Sequence, residues 1–447
     1  MIIQFKNRAR ELTELKNILS SNNFELFILY GRRRIGKTEL SLKSTKNEKR
    51  IYYLATGKNN LDRFYNVCSK QNKNINNLKK DWEILFNFLK DNVDVVIIDE
   101  FQNLINEDKN ILNIFQSIVD TSLKNSKLKL FLLGSSVSII TSKVLSYKSP
   151  LYGRRTGSLN LKAVSFFDLS KFYPKKKIEE LINIYGFADG IPFYLIKITN
   201  NFWYWLKQEI NKQSTFLRDE IDFMLRYEFD DPSTYKLILE SLSYGNTKLN
   251  EIKNFMKVTR TDISPYLRNL IEIGLIKREV PITENINSRR GRYYLTDNFL
   301  KFWFRFIYPN LSSIEEGIFD LESIKNEYNS YLGFIYEDIA KKYLIKTNKF
   351  SFTKIGKWWY KDKEVDIVGL DKNNKKIFLV ECKWKHNINA KKIVNELSKK
   401  SDCIDWNNNT REEIYIVFAK SFSKKITKFN SKTVHCYELK DIKKAMN

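Results

Sequence analysis

The chain has 447 residues, of which 43% are hydrophobic, and its 77 Lys and Arg against 52 Asp and Glu give a net charge of +25. This length predicts two or three domains, and the composition excludes a disordered chain. The apolar runs at residues 93–98 and 128–133 are too short to span a bilayer, and the amino terminus lacks the pattern of a signal peptide.

The first 165 residues alternate predicted strands and helices. Apolar strands are predicted at residues 24–29, 94–98 and 128–133, with helical segments between them. Buried strands that alternate with helices indicate a parallel sheet in an α/β fold. The three strands end in a Gly-rich turn, an acidic pair and a Gly-Ser-Ser turn, so we expect a site where these ends meet.

A phosphate-binding motif follows the first strand and opens a predicted helix. Its residues, which match GxxxxGK[ST], are Gly31, Arg32, Arg33, Arg34, Ile35, Gly36, Lys37 and Thr38. Glycines let backbone N–H groups approach phosphates closely, and the helix amino terminus adds positive potential. We expect Lys37 to reach the β- and γ-phosphates of ATP and Thr38 to ligate Mg²⁺.

The second apolar strand delivers Asp99 and Glu100 to its end. Asp99 is predicted to hold Mg²⁺ through water, and Glu100 to polarise the attacking water as general base. Ser135, after the third strand, is either a sensor of the γ-phosphate or an ordinary turn residue. Arg154 and Arg155 either supply charge to the transition state, in cis or in trans, or are solvated surface arginines.

Residues 166–234 are predominantly helical and predict a lid. Residues 235–310 predict three short helices and two strands joined by a polar loop, which is the arrangement of a winged helix. The helix at 262–273 would be the recognition helix, with Thr259 near its start. The basic residues of the expected wing are Arg289, Arg290 and Arg292. Such a unit either contacts DNA phosphates or serves as a lid or spacer.

Residues 331–447 predict a helix and three strands. The strands are expected at residues 364–370, 376–382 and 414–418. Asp366 lies on the first strand, while Glu381 and Lys383 lie two apart on the next and share a face. A β-hairpin would bring the two carboxylates together as a Mg²⁺ site, to which Glu337 of the preceding helix would add a third. Lys383 would orient or deprotonate a metal-bound water, or neutralise the charge of the pentavalent phosphate.

The charge of this last segment favours a nucleic-acid partner, and DNA is the first candidate. It holds 26 Lys and Arg against 14 Asp and Glu, a net charge of +12. A lysine-rich surface that arises from the composition of the whole chain would give the same charge without a partner, and the acidic residues also fit an exposed strand pair. Four scattered cysteines without metal-ligand spacing predict no zinc site and a reducing cytoplasm.

In this order, the motifs resemble the archaeal ATPase family, whose members join an AAA-like P-loop ATPase to a winged helix and a restriction-endonuclease-like domain. The segments that carry the resemblance are residues 5–8, 30–38, 98–102, 134–136, 150–155, 190–195 and 302–306. The resemblance implies that Arg8 lines the adenine side and that Asp366, Glu381 and Lys383 are nuclease residues. Val365 stands where the nuclease superfamily usually has Pro.

The predicted fold class is therefore α/β, in four parts. These are a P-loop AAA-like parallel sheet (1–165), a helical lid (166–234), a winged helix (235–310) and an α/β restriction-endonuclease-like domain (331–447). Two functions remain open. One is an ATP-hydrolysing, Mg²⁺-dependent DNA nuclease without membrane contact, and the other is a nucleotide-switched signalling or DNA-binding protein with an inactive nuclease fold. Either function is compatible with a homo-oligomer.

Overall fold

The computed structural model of the protein describes residues 6–258 and 260–446. Phe5 and Thr259, which the sequence interpretation uses, lie outside the described residues. The described chain divides into two compact units. The first runs to Val164 and includes Ile191–Ile196 and Arg226–Asp230, and the second comprises Ser165–Gly190, Lys197–Leu225 and the chain from Asp231 onward.

The first unit is built on a five-stranded sheet. Its strands are β1 (Glu25–Tyr30), β2 (Arg50–Leu54), β3 (Val95–Asp99), β4 (Lys129–Gly134) and β5 (Gly157–Asn160). All pairings are parallel, in the order β2-β3-β4-β1-β5, which confirms the predicted parallel α/β sheet. Every residue of β3 and β4 is buried, as their apolar sequences require. The sequence does not predict β2 and β5, which form the two edges of the sheet.

In the described part of the first unit, seven α-helices precede residue 164. They are α1 (Ala9–Leu19), α2 (Lys37–Ser44), α3 (Asn60–Gln71), α4 (Trp82–Leu89), α5 (Gln102–Glu107), α6 (Ile111–Ile118) and α7 (Val137–Ile139). Phe86 of α4 and Phe115 of α6 pack in one buried core with Ile28, Val96 and Leu132 of the three central strands. This core holds the carboxyl ends of β1, β3 and β4 in fixed positions.

A mostly helical stretch follows. Its helices are α8 (Leu169–Phe172), α9 (Ile178–Ala188), α10 (Pro192–Lys197), α11 (Phe202–Ile210), α12 (Glu220–Glu228), α13 (Ser233–Ser243), α14 (Leu249–Phe255), α15 (Ser264–Glu272), α16 (Asn298–Phe302) and α17 (Leu311–Glu315). Between α15 and α16, the strands β6 (Ile276–Glu279) and β7 (Arg292–Leu295) form an antiparallel hairpin. Three helices, α13 to α15, therefore precede a two-stranded hairpin.

The last part of the second unit is built on a mixed six-stranded sheet with helices around it. Its elements are α18 (Leu321–Thr347), β8 (Lys354–Tyr360), β9 (Lys363–Asp371), β10 (Lys376–Lys383), β11 (Ile388–Asn389), α19 (Ala390–Ser401), β12 (Glu412–Ala419), β13 (Phe422–Lys424), β14 (Lys428–Phe429), β15 (Lys432–Tyr437) and α20 (Leu439–Lys444). The strand order is β14-β15-β12-β10-β9-β8, and β11 pairs with β13 separately. β8, β9 and β10 are antiparallel neighbours, whereas β12 runs parallel to β10.

Helix α18 begins at Leu321, before the start of the carboxy-terminal domain that the sequence predicts at residues 331–447. The Asp320 side chain caps this helix by accepting the N–H of Glu322 at 3.0 Å. Leu321, Ile324 and Tyr328 are buried along one stripe of its first two turns, which explains why this polar-looking segment is helical. Neither α18 nor any other helix in the described residues has the length and apolar character needed to cross a membrane.

Candidate functional site

The phosphate-binding loop joins β1 to α2 through a backbone conformation that needs glycine. Gly31 has φ of 145° and Gly36 has φ of 93°, a region that other residues rarely adopt. A Cβ atom on Gly31 would also lie 2.6 Å from the carbonyl oxygen of Leu161. The loop places the amino terminus of α2 at its end, where helix N–H groups attract anions.

Lys37 is folded back against its own loop. Its Nζ donates hydrogen bonds to the carbonyl oxygens of Gly31 at 2.9 Å and Arg32 at 3.2 Å. Burial lowers the pKa of Lys37 to about 8, although the negative charges of Glu100 and Asp99 oppose this shift. A buried ammonium group with two carbonyl acceptors is suited to exchange them for phosphate oxygens.

Thr38 and Asp99 meet although they lie on different elements. The Thr38 hydroxyl donates to the Asp99 carboxylate at 2.5 Å, and the Tyr52 hydroxyl donates to the same oxygen at 3.1 Å. Burial is the largest influence on Asp99 and raises the pKa of its carboxyl group. Hydroxyl and carboxylate oxygens are ligands that Mg²⁺ prefers, so this donor set fits a Mg²⁺-bound nucleotide. Nothing in the sequence pattern pointed to Tyr52.

Glu100 accepts hydrogen bonds from three side chains. The donors to its Oε2 are the Ser135 hydroxyl, the Gln102 amide and, at 2.7 Å, the Tyr227 hydroxyl. Burial opposes ionisation of Glu100, but these donors outweigh it and lower the pKa of the carboxyl group. The structure therefore brings Ser135 to Glu100, as expected for residues at neighbouring strand ends. Gln102 and Tyr227 are additional contacts that spacing alone does not reveal.

Two arginines near the loop have partners in the first unit. Arg8 is 5% exposed, and its guanidinium group donates to the carbonyl oxygen of Ile35 at 3.2 Å and to Glu11 at 2.8 Å. The Arg34 guanidinium carbon lies 4.0 Å from the centre of the Phe193 ring. Arg8 is thus attached to the phosphate-binding loop, and its predicted position beside adenine stays a prediction.

The two candidate transition-state arginines are bound elsewhere in the first unit. Arg154 forms a bidentate ion pair with Asp120, at 2.6 Å for the shortest contact. Arg155 donates to the carbonyl oxygen of Leu145 at 3.4 Å and lies over the Tyr152 ring. Within the described residues, no hydrogen bond joins either guanidinium group to the phosphate-binding loop. Their role in the transition state stays a prediction.

A second candidate site lies on the β9–β10 hairpin. Ile367 pairs with Val380 in antiparallel register, so Asp366 and Glu381 occupy the next positions on the two strands. The Asp366 carboxylate accepts the backbone N–H of Cys382 at 2.8 Å. The hairpin therefore has the register that the sequence predicts, with both acidic residues at the same level of the sheet.

Charged side chains surround this hairpin. Burial, followed by the negative charges of Glu337 and Glu381, raises the pKa of Asp366 to about 7. Lys383 contacts Glu381 at 2.7 Å, and Lys357 contacts Glu337 at 2.5 Å. Acidic groups that lie this close together, balanced by lysines, form a centre that attracts cations.

The donor chemistry of this carboxylate cluster, defined as Asp366, Glu381 and Glu337, fits Mg²⁺ only in part. In the described chain, no group of three or more His, Cys, Asp or Glu side chains is placed to hold a metal ion by itself. Mg²⁺ commonly binds one or two carboxylates and keeps water or phosphate oxygens as its other ligands. Lys400 of α19 also contacts Glu381, at 3.1 Å, and no sequence signal distinguishes it from neighbouring lysines.

Two arginines of the β6–β7 hairpin are held by contacts in the second unit. Arg292 pairs with Glu364 of β9 at 3.0 Å, and Arg290 pairs with Glu284 at 2.6 Å. Arg289 is exposed. These ion pairs reduce the number of hairpin arginines that are available for phosphate contact.

The comparisons with known proteins relate the chain to archaeal ATPases. Residues 5–198 match a family described as "ATPase domain predominantly from Archaea", and residues 303–394 match "Archaea bacterial proteins of unknown function". An uncharacterized protein of Methanocaldococcus jannaschii is 51% identical over 428 residues, which is 94% of this chain and 97% of that protein. An uncharacterized ATP-binding protein of the same organism is 48% identical over 48 residues, 11% of this chain and 81% of that protein.

A solved structure supports the fold of the ATPase part. The Walker-type ATPase of Pyrococcus abyssi matches with a TM-score of 0.53 and 21% identity, over 67% of this chain and 96% of its own. At this identity the match concerns the fold alone. The two family matches and the near full-length relative lead to one conclusion: the chain belongs to the archaeal ATPase family and joins an ATPase domain to a second, carboxy-terminal family domain.

Proposed function

We propose that the first unit binds ATP with Mg²⁺ and hydrolyses it. The contact between Thr38 and Asp99, with Lys37 and Glu100 on either side, is the observation that carries this proposal. Bound Mg²⁺ would neutralise charge on the β- and γ-phosphates. Lys37 would exchange its carbonyl acceptors for phosphate oxygens, and Glu100 would orient the attacking water and take its proton.

The test compares ATP binding and ATP hydrolysis in matched variants. We expect Lys37→Ala to weaken ATP binding at least about tenfold, because it removes a charged contact to phosphate. We expect Glu100→Gln to keep ATP affinity but to lower kcat about 100-fold or more. Lys43→Ala, an exposed lysine on the same helix α2, is the control. A Glu100→Gln variant with wild-type kcat would refute the role of Glu100.

A second candidate function is Mg²⁺-dependent cleavage of DNA by a restriction-endonuclease-like carboxy-terminal domain. The carboxylate cluster and the three lysines around it support this proposal. Asp366 and Glu381 would hold Mg²⁺, and Glu337 would hold a further water or metal. Lys383 would position the nucleophilic water or stabilise the charge that develops on the phosphate.

Cleavage is tested with linear, nicked and single-stranded DNA, in Mg²⁺ or Mn²⁺, with and without ATP. We expect Asp366→Asn and Lys383→Ala to abolish cleavage, because each removes a group that contacts metal or phosphate. Asp362→Asn and Lys385→Ala change exposed residues of the same charge close by and should leave cleavage unchanged. Cleavage that persists in both Asp366→Asn and Lys383→Ala would exclude this site.

The alternative is a nucleotide-switched DNA-binding or signalling protein that does not cut. The ion pairs of Glu381 with Lys383 and Lys400 favour it, since they satisfy an acidic group without any metal. In this reading, the unit at residues 235–310 is a winged helix that binds DNA next to the lid at 166–234. Salt-sensitive DNA binding without cleavage in either metal would support it. Homo-oligomer formation and a cytoplasmic location remain predictions.

A further inference from the structure

Glu100 is held by a residue from a distant part of the chain. The Tyr227 hydroxyl donates to Glu100 Oε2 at 2.7 Å and lies 2.8 Å from the Ser135 hydroxyl. The guanidinium carbon of Arg33, in the phosphate-binding loop, lies 5.7 Å from the centre of the Tyr227 ring. One tyrosine therefore contacts the loop, the acidic residue after β3 and the serine after β4.

The three hydrogen bonds to Glu100 occupy one oxygen atom. A carboxylate oxygen has about two lone-pair sites, so donors from Tyr227, Ser135 and Gln102 saturate Oε2. Before this oxygen can accept a proton from water, at least one donor must leave. Ser135 directly follows β4 and Gln102 opens α5, and each is 1% exposed. Tyr227 is only half-buried and comes from a separate segment.

A second side chain anchors the segment that carries Tyr227. The Glu228 carboxylate accepts the Ser138 hydroxyl at 2.8 Å and the Ser136 hydroxyl at 3.2 Å. It also accepts the backbone N–H of Val137 at 3.2 Å, at the amino terminus of α7. Two successive side chains thus attach the segment to the ends of β3 and β4, where the attacking water would be activated.

We propose that Arg226–Asp230, the latch segment, keeps Glu100 in a resting position through Tyr227 and must release it before ATP is hydrolysed. The inference rests on the proposed ATP hydrolysis. Tyr227 is a positioning residue, because it acts through Glu100. The chain on both sides of the latch segment belongs to the second unit. A movement of that unit therefore reaches Glu100 through a covalent connection of a few residues.

The test uses Tyr227→Phe in the full chain, since this change removes only the hydroxyl. We expect kcat for ATP to rise about three- to tenfold, as one hydrogen bond to the carboxylate is lost, while the Kd for ATP stays within about twofold. Glu228→Ala, which removes the anchor, should raise kcat in the same direction. Tyr147→Phe, at a tyrosine that is 72% exposed, is the matched control and should leave both values unchanged.

Backbone hydrogen exchange gives a readout that does not depend on turnover. We expect a non-hydrolysable ATP analogue with Mg²⁺ to increase exchange in the latch segment of the wild-type protein. A Tyr227→Phe variant with kcat equal to or below wild type, or exchange in the latch segment that the analogue leaves unchanged, would overturn the inference. Absence of ATP turnover in the wild-type protein would instead refute the proposed hydrolysis, and the exchange measurement would still test the latch.

Discussion

Glu413 on β12 shows how neighbours set the ionisation of a single, partly buried side chain. Arg411, Lys432 and the Tyr415 hydroxyl each donate to its carboxylate at 2.7 Å. Burial opposes the charge, but these donors outweigh it and lower the pKa of Glu413 to about 2. The ionised form therefore stabilises the sheet of the second unit at neutral pH.

We expect Glu413→Gln to lower the free energy of unfolding by about 2 kcal/mol at pH 7, because it weakens a partly buried, charge-assisted network. The pKa in the folded protein lies below the ordinary value of 4.5. The wild-type advantage is thus fully present above about pH 4.5 and is lost as the pH falls toward 2. Urea unfolding between pH 7 and pH 2.5 measures it. Glu412→Gln, at an exposed neighbour, is the control, and a pH-independent difference would contradict the prediction.

The turn from β1 to the phosphate-binding loop depends on how closely two elements approach each other. Gly31 leaves β1 where the chain after β5 passes at Leu161, and the backbone N–H of Leu161 donates to the carbonyl oxygen of Tyr30 at 2.7 Å. The space for a side chain is therefore occupied by backbone. Gly153 also has a positive φ, of 79°, but has open space around its Cβ position.

This pair of glycines separates steric crowding from backbone conformation. We expect Gly31→Ala to lower the free energy of unfolding by about 3 kcal/mol, since both a strained φ and a backbone clash are imposed. Gly153→Ala should cost about 1 kcal/mol, because it imposes only the unfavourable φ. Denaturant unfolding of the nucleotide-free protein measures both changes. Equal losses of unfolding free energy in the two variants would show that the close approach of Leu161 adds nothing to the cost of a side chain at Gly31.

Strand prediction succeeded where burial was complete. The predicted strands 94–98 and 128–133 differ from β3 and β4 by one residue at each end, because central strands read as continuous apolar runs. The edge strands β2 and β5 were missed, since half-exposed strands need no such run. The strand β8 was missed for the same reason, because it includes two lysines among its apolar residues and only two of its residues are buried.

Across the whole molecule, the net charge of +25 is spread over both units, and residues 331–447 hold +12 of it. Part of this charge is neutralised internally. Lys357, Lys383 and Lys400 pair with the carboxylate cluster, and Arg292 pairs with Glu364. The remaining exposed lysines are the groups from which DNA binding would take its electrostatic energy.

We expect the affinity for DNA to fall at least about tenfold between 50 and 200 mM salt, because binding to phosphates releases counterions. Fluorescence anisotropy with a labelled duplex of arbitrary sequence measures the salt dependence. A second duplex of different sequence is the control and should give the same slope. An affinity that does not change with salt would contradict an electrostatic interface.

Local sequence was sufficient to identify the candidate residues of both sites. The order of Gly31 to Thr38, the pair Asp99–Glu100 and the spacing of Asp366, Glu381 and Lys383 depend on neighbours in the chain and on the two-residue period of a strand. Only the tertiary structure decided that Tyr227 holds Glu100, across 127 positions, and that Lys400 and Lys357 neutralise the carboxylate cluster. Such contacts form when packing brings distant segments together, and no local spacing encodes them.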